Sequence, residues 1–285
     1  MITDFAESQR KQKAWEEMIS QCERQFLWIG DVPDFDQTLG QQKPSLIFFK
    51  AENPKASRAC VLIIVGGGYM FKALGEAVPV AQKLNSEGLH TAILDYRIVP
   101  YSRNTILIDA KRAMRFLRYN ANSLEIDADK IAVMGFSAGG NLATLLALNS
   151  DDGDSTANDP VERFSCRPNA LILCYPAVNI VKKYEDDDDF SLLSYFDIVI
   201  DQKQDNFPPT FIWHSMSDRL INHCVSMELA EALCKMNVPV ELHLFPYGGH
   251  GQGLAQPTER VVSEEDKLTS CWSNLCVRWL DFYGF

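Results

Sequence analysis

Val133-Met134-Gly135-Phe136-Ser137-Ala138-Gly139-Gly140-Asn141-Leu142-Ala143 is the stretch on which the reading of this chain turns. It carries G-x-S-x-G between an apolar run, 130–135, and a helix-like run, 138–148. A serine on a sharp strand-to-helix turn has strained backbone angles and almost no room beside it, so its neighbours must be small. The helix that follows points its N-terminus at the serine, which favours negative charge developing there. The alternative is a tight turn with an incidental serine. The pentad alone would not decide between them; the strand and helix around it favour the nucleophile.

Outward from this turn, β-type runs alternate with helix-type ones. Strands are predicted at 45–50, 59–65, 89–95, 130–135, 169–175, 210–214 and 240–245, and helices at 74–86, 106–120, 138–148, 224–236 and 267–282. The runs 59–65 and 130–135 lack polar alternation, as strands buried on both faces do. In 106–120, Ile106, Ala110, Ala113, Met114 and Leu117 recur at helical spacing, with Lys111, Arg112 and Arg115 between them. The expectation is an α/β fold with a mainly parallel, doubly wound sheet flanked by helices. Residues 1–40 and 176–209 break the rhythm. They read as additions to a single domain over 1–285, together forming a small lid.

Composition excludes several classes. The chain has 285 residues, 46% hydrophobic and 23% charged, which rules out disorder and fibrous repeats. The longest apolar run, 59–65, falls far short of the roughly 20 residues that span a bilayer. A net charge of −11 repels phosphate backbones, so neither nucleic acid nor membrane is an expected partner, while homo-oligomers are allowed. The N-terminus has no apolar leader, and the eight cysteines are never spaced CxxC. Free thiols in a reducing cytoplasm are therefore expected, with no zinc site. Glu185-Asp186-Asp187-Asp188-Asp189 reads as a solvated acidic loop, because calcium-loop spacing with a central glycine is missing.

A second motif, Val65-Gly66-Gly67-Gly68-Tyr69, follows the most apolar strand some 70 residues before Ser137. Three glycines let backbone N–H groups approach a bound oxyanion. A phosphate loop would need a pattern such as GxxxxGK[ST], which is lacking. Of the five histidines, His250 lies in a glycine-rich loop after the last predicted strand, at the sheet edge where such folds build sites. It is the preferred base, with His214 as fallback. The acid should lie between serine and histidine in the chain. Asp218, after the penultimate strand, is preferred over Asp201 and Asp205 in the 176–209 insertion. Tyr69, Phe190 and Phe196 are candidates to line a substrate pocket, against the blander reading of core aromatics.

These motifs together resemble α/β-hydrolase esterases of the acetyl-xylan-esterase-like and hormone-sensitive-lipase-like group. The matched features are Gly66-Gly67-Gly68-Tyr69, Asp95-Tyr96-Arg97-Ile98-Val99-Pro100, 129–140 around Ser137, Tyr175-Pro176 and Gly249-His250-Gly251. The resemblance implies Ser137 as nucleophile, His250 as base and Asp218 as its orienting acid. It also implies oxyanion donors at the N–H groups of Gly67, Gly68 and Ala138, and no cofactor or metal. The implied reaction is hydrolysis of short-acyl carboxylic esters, with an O-acetylated sugar or oligosaccharide as substrate. Arylformamidase, prolyl-oligopeptidase-like peptidase and a non-catalytic binding protein are the alternatives. The chain departs from the group at Val65, where a loop-supporting histidine is common, and around Asp218, where Ser217 and Arg219-Leu220-Ile221 replace the usual neighbours.

Overall fold

The computed structural model describes residues 5–181, 195–200, 206–255 and 264–285. The strands are β1 (Gln25–Phe26), β2 (Ser45–Phe49), β3 (Cys60–Ile64), β4 (His90–Asp95), β5 (Ile131–Phe136), β6 (Ala170–Cys174), β7 (Asn179–Ile180), β8 (Asp197–Ile198), β9 (Thr210–Ser215) and β10 (Val240–Phe245). The α-helices are α1 (Phe5–Ser20), α2 (Val78–Ser86), α3 (Arg103–Tyr119), α4 (Ala121–Leu124), α5 (Ala138–Leu148), α6 (Cys224–Lys235), α7 (Glu264–Ser270) and α8 (Trp272–Phe282).

Eight strands form one sheet in the order β1-β2-β4-β3-β5-β6-β9-β10. β1 and β2 run antiparallel at one edge, and the six strands from β4 to β10 pair in parallel. From β3 the chain crosses first to β4 on one side, then to β5 on the other. The order therefore reverses between β3 and β5, and open α/β sheets bind ligands outside the C-terminal strand ends at such a point. The glycine loop leaves β3 there and Ser137 leaves β5 there. α5 has apolar residues on every side and is buried along almost its whole length, packed between the sheet and α3.

Several boundaries differ from the sequence expectation, each for a local reason. The segment 74–86 opens with a 3₁₀ turn, Leu74–Glu76, and α2 then starts with proline in its first turn. α3 begins three residues earlier than expected, because Ser102 Oγ caps it by accepting from Thr105 N–H. The C-terminal helix is broken at Cys271. That break seats Trp272 flat on Trp213, with centroids 5.0 Å apart, while its indole N–H reaches Gly253 O at 3.1 Å.

The N-terminal helix is tied to the sheet through one carboxylate. Asp95, at the end of β4, accepts from Trp15 Nε1 (2.9 Å) and pairs with Lys72 Nζ (2.8 Å) and Arg24 (3.0 Å). Asp95 and Lys72 are both buried. Removing one partner of a buried ion pair leaves an uncompensated charge, which costs about 3–5 kcal/mol. Asp95→Ala is therefore expected to lower the unfolding free energy in urea by about 3 kcal/mol or more. A loss under about 1 kcal/mol would contradict this anchoring.

Candidate active site

Ser137 sits at φ 50°, ψ −117°, outside the ordinary regions for an L-residue. Such strain costs of the order of 1–3 kcal/mol and persists only where the surroundings over-determine it. Here they do. Ser137 N–H donates to Cys174 O (3.0 Å), and Ser137 O accepts from Ala177 N–H (2.9 Å) and Asn141 N–H (3.1 Å). A Cβ on Gly139 would lie 2.1 Å from Ile64 O, and one on Gly135 2.3 Å from Gly139 O. The small residues of the motif are thus imposed by backbone packing against β3 and within the turn itself.

The structure brings Ser137, His250 and Asp218 together. Ser137 Oγ lies 2.7 Å from His250 Nε2, and His250 Nδ1 lies 2.7 Å from Asp218 Oδ2. An ionised carboxylate only accepts, so Nδ1 carries the proton and Nε2 is left to take the serine hydroxyl. Asp218 Oδ1 accepts from Leu220 N–H (2.8 Å) and Ile221 N–H (3.0 Å). Burial would push this carboxyl up. The hydrogen bonds from His214, His250 and the Ile221 N–H outweigh it and hold the group far below the usual carboxylate range.

Three of the unusual neighbours of Asp218 also have work in this loop. Leu220 and Ile221 supply its backbone donors, and Ser217 Oγ, with Ser215 Oγ, donates to Gly248 O at 2.7 Å. That clamp joins the loop after β9 to the histidine loop after β10. His214 is a second partner of the acid: Nε2 faces Asp218 Oδ2 (3.2 Å) and Ile221 O (3.1 Å), while Nδ1 accepts from Ser226 Oγ (2.8 Å). Asp201, Asp205, Phe190 and the acidic run 185–189 lie outside the described residues.

The glycine loop lies beside the serine. Gly67 and Gly68 have φ +125° and +65°, and the N–H groups of Gly67, Gly68 and Ala138 have no hydrogen-bond partner among the described residues. Tyr69 is fully buried rather than open to a pocket. Its hydroxyl donates to Asn141 Oδ1 (2.8 Å), and Asn141 Nδ2 donates onward to Phe196 O (3.0 Å). Its ring packs on Tyr195 and Phe196 from the 176–209 segment. Val65 contributes its carbonyl, which accepts from Tyr96 OH (2.7 Å).

Sequence reasoning missed Glu76, and had Tyr175 only within the matched Tyr175-Pro176 pair, with no role assigned. Both are buried, and burial raises both groups above their ordinary values. Glu76 Oε2 accepts from Gly66 N–H (2.6 Å) and Oε1 from Tyr175 OH (2.9 Å). The available signal was a lone carboxylate in the run Leu74-Gly75-Glu76-Ala77-Val78. Among the described residues no group of three His, Cys, Asp or Glu side chains is arranged to hold a metal ion, and no helix is long and apolar enough to cross a membrane.

Residues 46–203 match the BD-FAE family model. Endo-1,4-beta-xylanase B of Butyrivibrio fibrisolvens is 31% identical over 264 residues, covering 88% of this chain and 39% of that protein. Acetylxylan esterase of Xylanibacter ruminicola is 25% identical over 227 residues, covering 74% and 44%. The chain thus spans about two fifths of the length of these curated relatives. A crystal structure of the acetyl ester-xyloside bifunctional hydrolase from Caldicellulosiruptor lactoaceticus matches with a TM-score of 0.78 at 36% identity, over 92% of this chain and 97% of that one.

The depressed Asp218 makes a prediction about pH. Its folded carboxyl titrates below its unfolded value of about 3.9, so its contribution is complete above that value and is lost only as pH falls through the folded one. Between about pH 5 and 8 Asp218 should therefore stay ionised. Its side-chain carboxyl carbon, followed by NMR, should show no protonation across that range. Protonation of Asp218 above about pH 5 would contradict this assignment.

Proposed function

The chain belongs to the BD-FAE family and has the α/β-hydrolase fold, and we propose that it is a carboxylic ester hydrolase working through Ser137, His250 and Asp218. The observation that carries the reading is the unbroken run of two 2.7 Å hydrogen bonds from the strained serine through His250 to Asp218. Ser137 Oγ attacks the ester carbonyl as His250 Nε2 takes its proton. The N–H groups of Gly67, Gly68 and Ala138 receive the oxyanion; losing one such donor typically costs about 10²–10³ in kcat. The imidazolium, held by Asp218, then protonates the departing alkoxide. Water hydrolyses the acyl-enzyme with His250 acting as base again, and the serine is restored.

The substrate in this reading is a short-acyl ester, in the first place an acetyl group on a sugar or oligosaccharide. Its support is the relatives, one named an acetylxylan esterase and one an acetyl ester-xyloside bifunctional hydrolase. We read residues 1–40 and 176–209 as a cap on a single catalytic domain. Tyr195 and Phe196, which pack on Tyr69, support that reading from the described part of the insertion. All eight cysteines are unpaired, which fits a reducing compartment such as the cytoplasm.

The test is turnover of p-nitrophenyl acetate and butyrate by the wild type and Ser137→Ala. Acetate should be the better substrate, and Ser137→Ala should lose at least about 10⁴ in kcat/KM. Turnover retained by Ser137→Ala, or none on either ester by folded wild type, would overturn the reading.

A further inference from the structure

The relay leaves one buried ionisable side chain beside the nucleophile without a role. Glu76 lies at the end of the 3₁₀ turn after the glycine loop and is almost inaccessible to solvent. Gly66 separates it from the serine: a Cβ on Gly66 would lie 2.8 Å from Ser137 Cβ and 3.0 Å from Glu76 Oε2.

The hydrogen bonds around this carboxyl run in one direction. Gly253 N–H donates to Tyr175 Oη (2.9 Å), Tyr175 O–H donates to Glu76 Oε1 (2.9 Å), and Gly66 N–H donates to Oε2 (2.6 Å). A tyrosine hydroxyl that accepts one bond still has its own proton to place, and both arms end on an oxygen that must accept. The two arms reach two loops of the site. Gly66 begins the oxyanion loop, and Gly253 lies three residues after His250 in the loop that follows β10. Tyr175 also sets its ring against the imidazole, with centroids 5.1 Å apart.

We propose that Glu76 is a positioning residue that holds the oxyanion loop and the histidine loop in register through one carboxylate. It does so from ten residues downstream of Gly66, in a chain where Val65 stands in place of the histidine expected to support that loop. The inference rests on the ester-hydrolase reading only for what the oxyanion loop stabilises. Glutamine at this position fills the same space but must turn an NH₂ toward either Gly66 N–H or Tyr175 O–H. One arm is then lost.

The experiment compares wild type, Glu76→Gln, Tyr175→Phe and the double variant, each at a temperature where circular dichroism shows it folded. Two rates are read: kcat for p-nitrophenyl acetate, and phosphonylation of Ser137 by a fluorophosphonate followed by intact mass. Glu76→Gln should lower both about 10²-fold, with KM moved less than about threefold, because a misplaced oxyanion donor acts on the transition state. Tyr175→Phe, which loses the hydroxyl alone, should lower both about tenfold, and the double variant should be no slower than Glu76→Gln, since residues acting as one unit are not additive. A folded Glu76→Gln with both rates within about threefold of wild type, or additive effects in the double variant, would overturn the proposal. If Glu76→Gln does not fold, Tyr175→Phe decides by the same readouts. Wild type that labels at Ser137 but turns over no ester would sink the ester reading. The labelling rates of the variants would still decide the role of Glu76.

Discussion

The candidate site is organised around one strained turn. Ser137 is forced to positive φ between β5 and α5, and three backbone hydrogen bonds with two glycine contacts leave it no relaxed alternative. The strain is small beside the packing that imposes it, which is why the turn can be a fixed point. From that point the serine oxygen reaches His250 Nε2, α5 starts at the next residue, and the reversal of strand order brings the glycine loop alongside. The loops after β9 and β10 then need only deliver a carboxylate and an imidazole to the same edge of the sheet.

Polar groups buried around the turn convert that placement into a defined geometry. Asp218 is satisfied on both oxygens by two histidines and two backbone N–H groups, so it cannot swing away from His250 without abandoning several bonds. Ser215 and Ser217 donate to the same carbonyl of the histidine loop, tying it to the Asp218 loop by a route independent of the His250–Asp218 hydrogen bond. Asn141 joins the elbow helix to Tyr69 and to the segment that carries Phe196. Glu76 is the corresponding tie on the oxyanion side. Asp95 does the same for the N-terminal helix, away from the reacting groups.

What the sequence made legible is what local backbone rules record. G-x-S-x-G, three successive glycines after an apolar strand, and a histidine in a glycine-rich loop each state a conformation, and their order along the chain states a sheet edge. The sequence reading accordingly located the principal strands and named the three residues that the structure brings within hydrogen-bond reach. Its misses have another origin. Nothing local marks Glu76 as the partner of Gly66 and, through Tyr175, of Gly253, because that pairing exists only once distant segments meet. His214 read as a spare base because histidine at a strand end carries no sign of which carboxylate it will share. The two-residue strand β1 and the break at Cys271 were equally invisible, one too short for a pattern and the other set by where Trp272 must pack.

The central claim is that Ser137 becomes covalently acylated by a small ester. The direct measurement is rapid acid quenching of the protein with p-nitrophenyl acetate, followed by peptide mass mapping. The account predicts an acetyl group on the peptide that contains Ser137, formed in a burst and missing from Ser137→Ala. Ester turnover with acetyl found on another residue, or with burst kinetics unchanged in Ser137→Ala, would contradict it.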